Sequence, residues 1–338
     1  MIRSSLSAGL TFRRLKPQML PLTSLLSSEA AITYHLLKSN LGAGVLLYLS
    51  AAFIRLLPPP EPSLFPVLRI LTKVLLVSLS HQYCWDIVNQ VTSVDEDRIN
   101  KPHRPIPSGR LTLQAAKWRW LVSWTVSPAL IYTILNGQAL VIFLLSEVLI
   151  ALCYIWPTFD HWSFRNVFPA LWTFFSFRLL DSVVCQTYPQ LSTRISLDII
   201  LSLWVLGTIH IQEFHDIEGD RKVQRKTLPV VLSSAASMMM LRRGTAALIV
   251  ASGLGLVILG WVKCLVAFDL VSVGLLLTGA FHLFGALAVG VRCIYATSAD
   301  MDERTYKVYY ILTAYWLVYF LSLVNVSLAA EEISSSVW

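Results

Sequence analysis

The chain has 338 residues, 55% hydrophobic and only 14% charged, with a formal net charge of +7 and a mean hydropathy of +0.62. Soluble globular domains carry nearer a quarter charged residues, so this balance excludes a soluble globule. The basic excess sits in particular loops, which excludes a nucleic-acid-binding surface, and five scattered cysteines without metal spacing imply neither disulfides nor zinc.

Residues 1–36 are Ser-rich and basic (Arg3, Arg13, Arg14, Lys16), with no acid before Glu29. They read as the cytoplasmic tail of an endoplasmic-reticulum-type membrane protein, with a mitochondrial transit peptide as the alternative. Residues 37–330 form one transmembrane unit, followed by a short tail, 331–338. Apolar runs of about 18 residues or more mark membrane spans. By that criterion the chain predicts nine, at 40–57, 66–85, 118–135, 138–156, 166–185, 195–212, 244–262, 266–291 and 306–330. The expected fold is therefore all-α, a polytopic bundle in the lipid bilayer.

Between the first two spans, Pro58-Pro59-Pro60-Glu61-Pro62 predicts a rigid connector. The second span runs into an acidic stretch, in which Asp86, Asn89, Ser93 and Asp97 share one helix face. Pro105, Pro107 and Gly109 end that helix, and Thr112 is placed to cap the next. In the loop after the fourth span the aromatics suit a membrane interface, with Arg165 and Asn166 placed to reach a ligand. Within the fifth span Arg178 and Asp181 lie three apart and are expected to pair. Asp198 and Asp269 are given no role, and Glu147 and His282 are expected to be satisfied by neighbouring helices. The sixth span leads into a second acidic stretch, with Glu213, Asp216 and Asp220 on one face. The last polar loop, Asp300 to Lys307, reads as solvated.

Basic residues follow both acidic stretches: Arg98, Lys101 and Arg104 after the first, Arg221, Lys222, Arg225 and Lys226 after the second. The loops on the other side carry almost none, so both stretches face the cytoplasm. Hard oxygen ligands suit Mg²⁺, which keeps several waters and is shared between carboxylates and phosphates. Facing acidic helix ends with basic neighbours are what a Mg²⁺-diphosphate site needs. Either stretch alone reads equally well as solvated charge. Two in helical register, each at a span end, favour the site.

The residues Asn89-Gln90, Asp97-Arg98-Ile99-Asn100-Lys101-Pro102, Arg104-Pro105-Ile106-Pro107-Ser108-Gly109, Glu213-x-x-Asp216-x-Glu218-Gly219-Asp220 and Lys226-Thr227-Leu228-Pro229 resemble the UbiA superfamily of intramembrane prenyltransferases. The likeness is strongest to its fungal branch, which includes terpene cyclases. Two departures stand out. Ser93 replaces the middle carboxylate of the first motif, and Gln224 stands where a glycine is common.

The resemblance implies nine helices around a lateral-opening cavity and Mg²⁺-assisted ionisation of a prenyl diphosphate, farnesyl or geranylgeranyl. It implies Asn89, Asp97, Asp216 and Asp220 as catalytic metal ligands with Glu213. Asp86 would supply the charge missing at Ser93. Arg98, Lys101, Arg104, Arg165 and Lys226 would neutralise the departing diphosphate. Cyclisation without an acceptor is the leading reading, with transfer to an aromatic or quinone-precursor acceptor as the alternative. A cation transporter is the remote one, because its site would lie nearer the midplane.

Overall fold

The computed structural model describes residues 22–57, 63–156, 161–264 and 270–336. The basic residues Arg3 to Lys16, the 58–62 connector and Asp269 lie outside these. Every described element is a helix, in chain order α1 (Leu22–Leu37), α2 (Gly42–Arg55), α3 (Leu64–Thr92), α4 (Val94–Asn100), α5 (Leu113–Ile134), α6 (Gly137–Ile155), α7 (Trp162–Cys185), α8 (Ile195–Thr208, continued by the tighter turn Ile209–Phe214), α9 (Ile217–Lys222), α10 (Leu228–Val231), α11 (Ala235–Cys264), α12 (Leu270–Tyr295), α13 (Ala299–Arg304) and α14 (Ile311–Ser336).

Seven of the described helical stretches have the length and hydropathy to span a bilayer, and a bent pair, α1 with α2, adds an eighth. The expected nine is thus approximate, for two physical reasons. The predicted first span is half of a helix pair bent by 78°. The predicted third, α5, is 22 residues long but opens with Lys117 and Arg119. It nonetheless packs along α3 and α6 as a bundle member. α1 lies inside the segment expected to be a tail, and packs on α3.

Short polar caps set several helix starts. Thr112 Oγ1 accepts the Ala115 N–H at 3.2 Å, as the sequence predicts, and Asn136 Oδ1 accepts that of Ala139 at 2.8 Å. Caps of this kind contribute about 1 kcal/mol each. Inside the bundle, Arg178 Nε donates to Asp198 Oδ2 at 2.6 Å, while Asp181 lies 3.5 Å from both Arg178 and Arg55. Asp198, expected to be idle, is therefore the stronger partner, because the start of α8 comes alongside α7. His282 Nδ1 meets the Thr313 carbonyl at 3.0 Å, as expected of it. Glu147 does not follow suit: it is buried on α6 with Oε1 lacking a hydrogen-bond partner.

Candidate active site

One large chamber opens into the bundle, about 1400 Å³ including its mouth. Along four of the helices that enter it, its wall passes from polar or charged residues at the mouth to aromatic ones further in. On α3 the lining runs from Asn89 at the helix end inward to Trp85 and Gln82. On α7 it runs from Arg165 to Phe168 and Trp172, and on α8 from Glu213 through Ile209 to Trp204. The last span follows the same order, Lys307, Tyr310, Ala314. At 1.5 Å of rise per residue, the seven residues from Asn89 to Gln82 descend about 10 Å.

Three π-helical turns occur among the described residues, Gly42–Leu46, Ala151–Ile155 and Thr305–Tyr310, and each contributes to the chamber wall. Such bulges widen a helix by one residue and re-aim its side chains, here Tyr154, Tyr306 and Lys307 among them. The aromatic lining forms two panels. Phe168 stacks on both Trp85 and Trp172 at 5.7 Å between centroids, the two tryptophans are tilted to each other at 6.1 Å, and Tyr154 lies edge-on to Phe168 at 4.8 Å. Trp204 and Tyr310 stack at 5.2 Å on the other side.

At the mouth, α4 and α9 lie against each other. A Cβ on Gly219 would come within 2.3 Å of the Asn100 side chain, so the glycine is what permits the approach. Asn100 Nδ2 donates to the Asp216 carbonyl at 3.3 Å, and Lys101 Nζ to Asp216 Oδ2 at 2.7 Å. Arg225 bridges the same two helices through Glu96 and, at 3.5 Å, Asp220. Arg165 Nε lies 3.6 Å from Glu213 Oε1, and Glu213 Oε2 accepts the Leu228 N–H at 3.3 Å.

These surroundings separate the acids. Burial pushes the Asp216 carboxyl up, but Lys101 and His215 outweigh it and hold it below the ordinary carboxylate range. For Asp220 burial wins, helped by the like charge of Glu96 against Arg225 and Arg165, and its pKa rises to about 6. Asp97 is also raised by burial, against the pull of Arg104.

Of the residues singled out in the sequence, Asn89, Lys101, Arg104, Arg165, Glu213, Asp216 and Asp220 line the chamber. Four others do not. Asp97 is fully buried, and Arg104 Nη1 donates to both of its oxygens at 2.8 Å. Asp86 also sits behind the wall, bonded by Asn40 and Gln82. Arg98 points outward to Asp95, with 64% of its side chain exposed. Lys226 is exposed outside the lining. Asn166 bonds the Leu206 carbonyl at 3.1 Å and so pins α7 to α8.

The cause of the first shift is a break in the helix at Ser93, whose φ and ψ of −111° and 23° are not helical. Beyond it α4 turns Glu96, not Asp97, into the chamber. Ser93 Oγ meets Asn89 Oδ1 at 3.3 Å. A serine followed by Asp95, Glu96 and Asp97 is a helix-start pattern, so the sequence carried this signal. Arg225, rather than its neighbour Lys226, lines the chamber. It is delivered by a left-handed residue: Gln224 has φ 56°. The bonds Arg225 N–H to Asp220 C=O and Gln224 N–H to Arg221 C=O close a Schellman turn around it. That is the position where a glycine is common. Lys307 and Tyr306 come from the loop read as solvated, with no signal in their spacing.

A helical membrane bundle around one chamber, ionic at its mouth and aromatic within, is the architecture of an intramembrane enzyme acting on an amphiphile. A model of the UbiA prenyltransferase family matches residues 45–311, and the chain belongs to that family. It is 32% identical over 228 residues to a diterpene cyclase, eriG, of Hericium erinaceus, a match spanning 67% of this chain and 68% of that one. It is 35% identical over 160 residues to a polyprenyl transferase, eriF, of the same organism, spanning 46% of this chain and 52% of that one. Among solved structures it shares the fold of a UbiA homologue from Archaeoglobus fulgidus bound to GPP and Mg²⁺. There the TM-score is 0.54 at 15% identity, covering 87% of this chain and 99% of the other. The chain is thus a UbiA-type enzyme, a terpene cyclase or a prenyltransferase, and the transporter reading falls away.

Proposed function

We propose that the chamber ionises a prenyl diphosphate, farnesyl or geranylgeranyl, and folds the resulting cation onto itself, releasing diphosphate and a cyclic terpene. The observation that carries this is the gradient along the wall: acids and cations at the mouth, aromatic faces further inward on four separate helices. An anionic head and an apolar polyene tail match it end to end.

The acids at the mouth suit a divalent cation in kind. Asn89, Glu213, Asp216 and Asp220, with Glu96 beside them, are all hard oxygen donors, and Glu213 Oε1 accepts no hydrogen bond. Among the described residues no three Asp, Glu, His or Cys side chains converge into a ready-made metal site. That fits an ion which keeps waters and shares phosphate oxygens. Asn89, Glu213, Asp216 and Asp220 would hold Mg²⁺, which when bound supplies neutralisation of charge on the leaving diphosphate.

Lys101, Arg104, Arg165 and Arg225 face the same space and stabilise the negative charge as it develops. Asp97 holds Arg104 in place for this. The C–O bond breaks with its electron pair leaving on the diphosphate. The pair of a distal double bond then closes the ring, and a neighbouring carbon loses a proton to an oxygen of the expelled diphosphate. Ring faces of Trp85, Trp172, Trp204 and Tyr310 stabilise the cation on its way.

The polyprenyl transferase relative supports a second reading, capture of the cation by an aromatic acceptor. Membranes containing the protein, incubated with each prenyl diphosphate and Mg²⁺, separate the two. A cyclic hydrocarbon in the hexane extract without acceptor supports the cyclase. Product formed solely after an aromatic acid or quinol precursor is added supports the transferase. The site faces the cytoplasm of an endoplasmic-reticulum-type membrane in this reading, on the strength of the basic loops around it.

A further inference from the structure

Asp86 lies behind the chamber wall, and the two residues that cover it are in the wall. Asn40 sits at the break between α1 and α2, and Gln82 two turns inward of Asn89. Asn40 Nδ2 donates to Asp86 Oδ1 at 2.6 Å and Gln82 Nε2 to Asp86 Oδ2 at 3.0 Å. With both amide N–H₂ groups turned to the carboxylate, each residue has its carbonyl oxygen left to offer elsewhere. Donation to a charged acceptor also polarises an amide, enriching its oxygen in negative charge.

Gly44 completes the arrangement. A Cβ there would lie 2.2 Å from Gln82 Oε1, so the missing side chain leaves room for that oxygen. Asp86 is 1% exposed and no lysine or arginine donates to it. Two neutral amides are its hydrogen-bond donors, with Arg104 acting on it from beyond hydrogen-bond reach, and a buried carboxylate held that way is costly to keep. An apolar residue would join α1 to α3 at less expense in desolvation. Gln82 stands about 10 Å inward of Asn89, one turn beyond Trp85, and Asn40 reaches Asp86 one turn inward of Asn89.

We propose that Asn40 and Gln82, aimed by Asp86, form an electronegative patch that stabilises positive charge along the prenyl chain and selects the carbon at which the cation is captured. Asn40 and Gln82 would touch the substrate, while Asp86 is a positioning residue. The inference rests on the ionisation proposed above and adds a specificity determinant to it.

The test uses the full-length protein in detergent or vesicles with geranylgeranyl diphosphate and Mg²⁺. It reads the ratio of main product to side products (water-captured alcohol and other alkenes) per diphosphate released. That ratio does not depend on how much of a variant is folded. Gln82→Leu removes the carbonyl at nearly constant volume, and Asp86→Asn removes the charge that aims both amides. Each is expected to shift the ratio about tenfold toward side products, less than the 10²–10³ of losing a donor from an oxyanion site. The Mg²⁺ half-saturation should stay at its wild-type value. Ratios within twofold of wild type in both variants overturn the proposal. So does a raised Mg²⁺ requirement in Asp86→Asn with the ratio unchanged, which would return Asp86 to the metal end. If the wild-type protein releases no diphosphate from any prenyl diphosphate, the proposed function itself fails, and this patch with it.

Discussion

Asp97 is the residue at which motif and geometry part, and Asp97→Ala tells them apart. In the structure Asp97 and Arg104 form a buried pair, with side chains 1% and 5% exposed. At that burial solvent screening is negligible, and removing one partner leaves the other charge uncompensated, at a cost of about 3–5 kcal/mol. For a chain of this length, with an unfolding entropy near 2.1 cal/mol/K per residue, that is a fall in Tm on the order of 5 °C. Replacing both partners, as in Asp97→Ala with Arg104→Met, removes the orphaned charge and should recover most of the loss. The assay is thermal unfolding of the detergent-solubilised protein with chelator present, so that no metal contributes. If Asp97→Ala unfolds at the wild-type temperature without metal, and instead needs more Mg²⁺ for turnover, then Asp97 is a ligand and the pairing argument is refuted.

Three further expectations follow from the same geometry. Arg98→Ala should leave both stability and turnover within about 0.5 kcal/mol of wild type, as befits an exposed ion pair; a large loss of turnover would put Arg98 back at the diphosphate. Asp220, raised to about 6, takes up a proton as the pH falls through that value, so Mg²⁺-dependent activity should decline there. Because metal binds the ionised carboxyl, more Mg²⁺ should move the midpoint of the pH profile downward; a midpoint indifferent to Mg²⁺ would contradict the assignment. Gln224→Val places a β-branched residue at positive φ, costing about 1–3 kcal/mol and displacing Arg225, whereas Gln224→Gly should retain activity. Equal behaviour of the two in thermal unfolding and turnover would show that the Schellman turn does not position Arg225.

Much of the bundle was legible because lipid forces a simple code: long apolar runs must be helices. α3, α7, α8, α11, α12 and α14 follow that code. α5 and α2 were legible as the runs 118–135 and 40–57, but Lys117 and Arg119 dilute the first, and α1, which pairs with α2 across a 78° bend, lies in a stretch that reads as a tail. The mouth was legible where helical register persists, as for Asn89 and Asp216. It failed at Ser93, where one non-helical residue exchanges Asp97 for Glu96. Lys307, Tyr306 and Asn40 arrive from distant segments through π turns and a helix break, which no local spacing records.

The most direct test of the central claim is the release of inorganic diphosphate from farnesyl or geranylgeranyl diphosphate by the purified protein. With Mg²⁺ and no acceptor, one diphosphate is expected per terpene formed, and neither should appear in chelator or with Asp216→Ala. Diphosphate release that persists unchanged in Asp216→Ala, or none from wild type with any prenyl diphosphate, with or without acceptor, would contradict it.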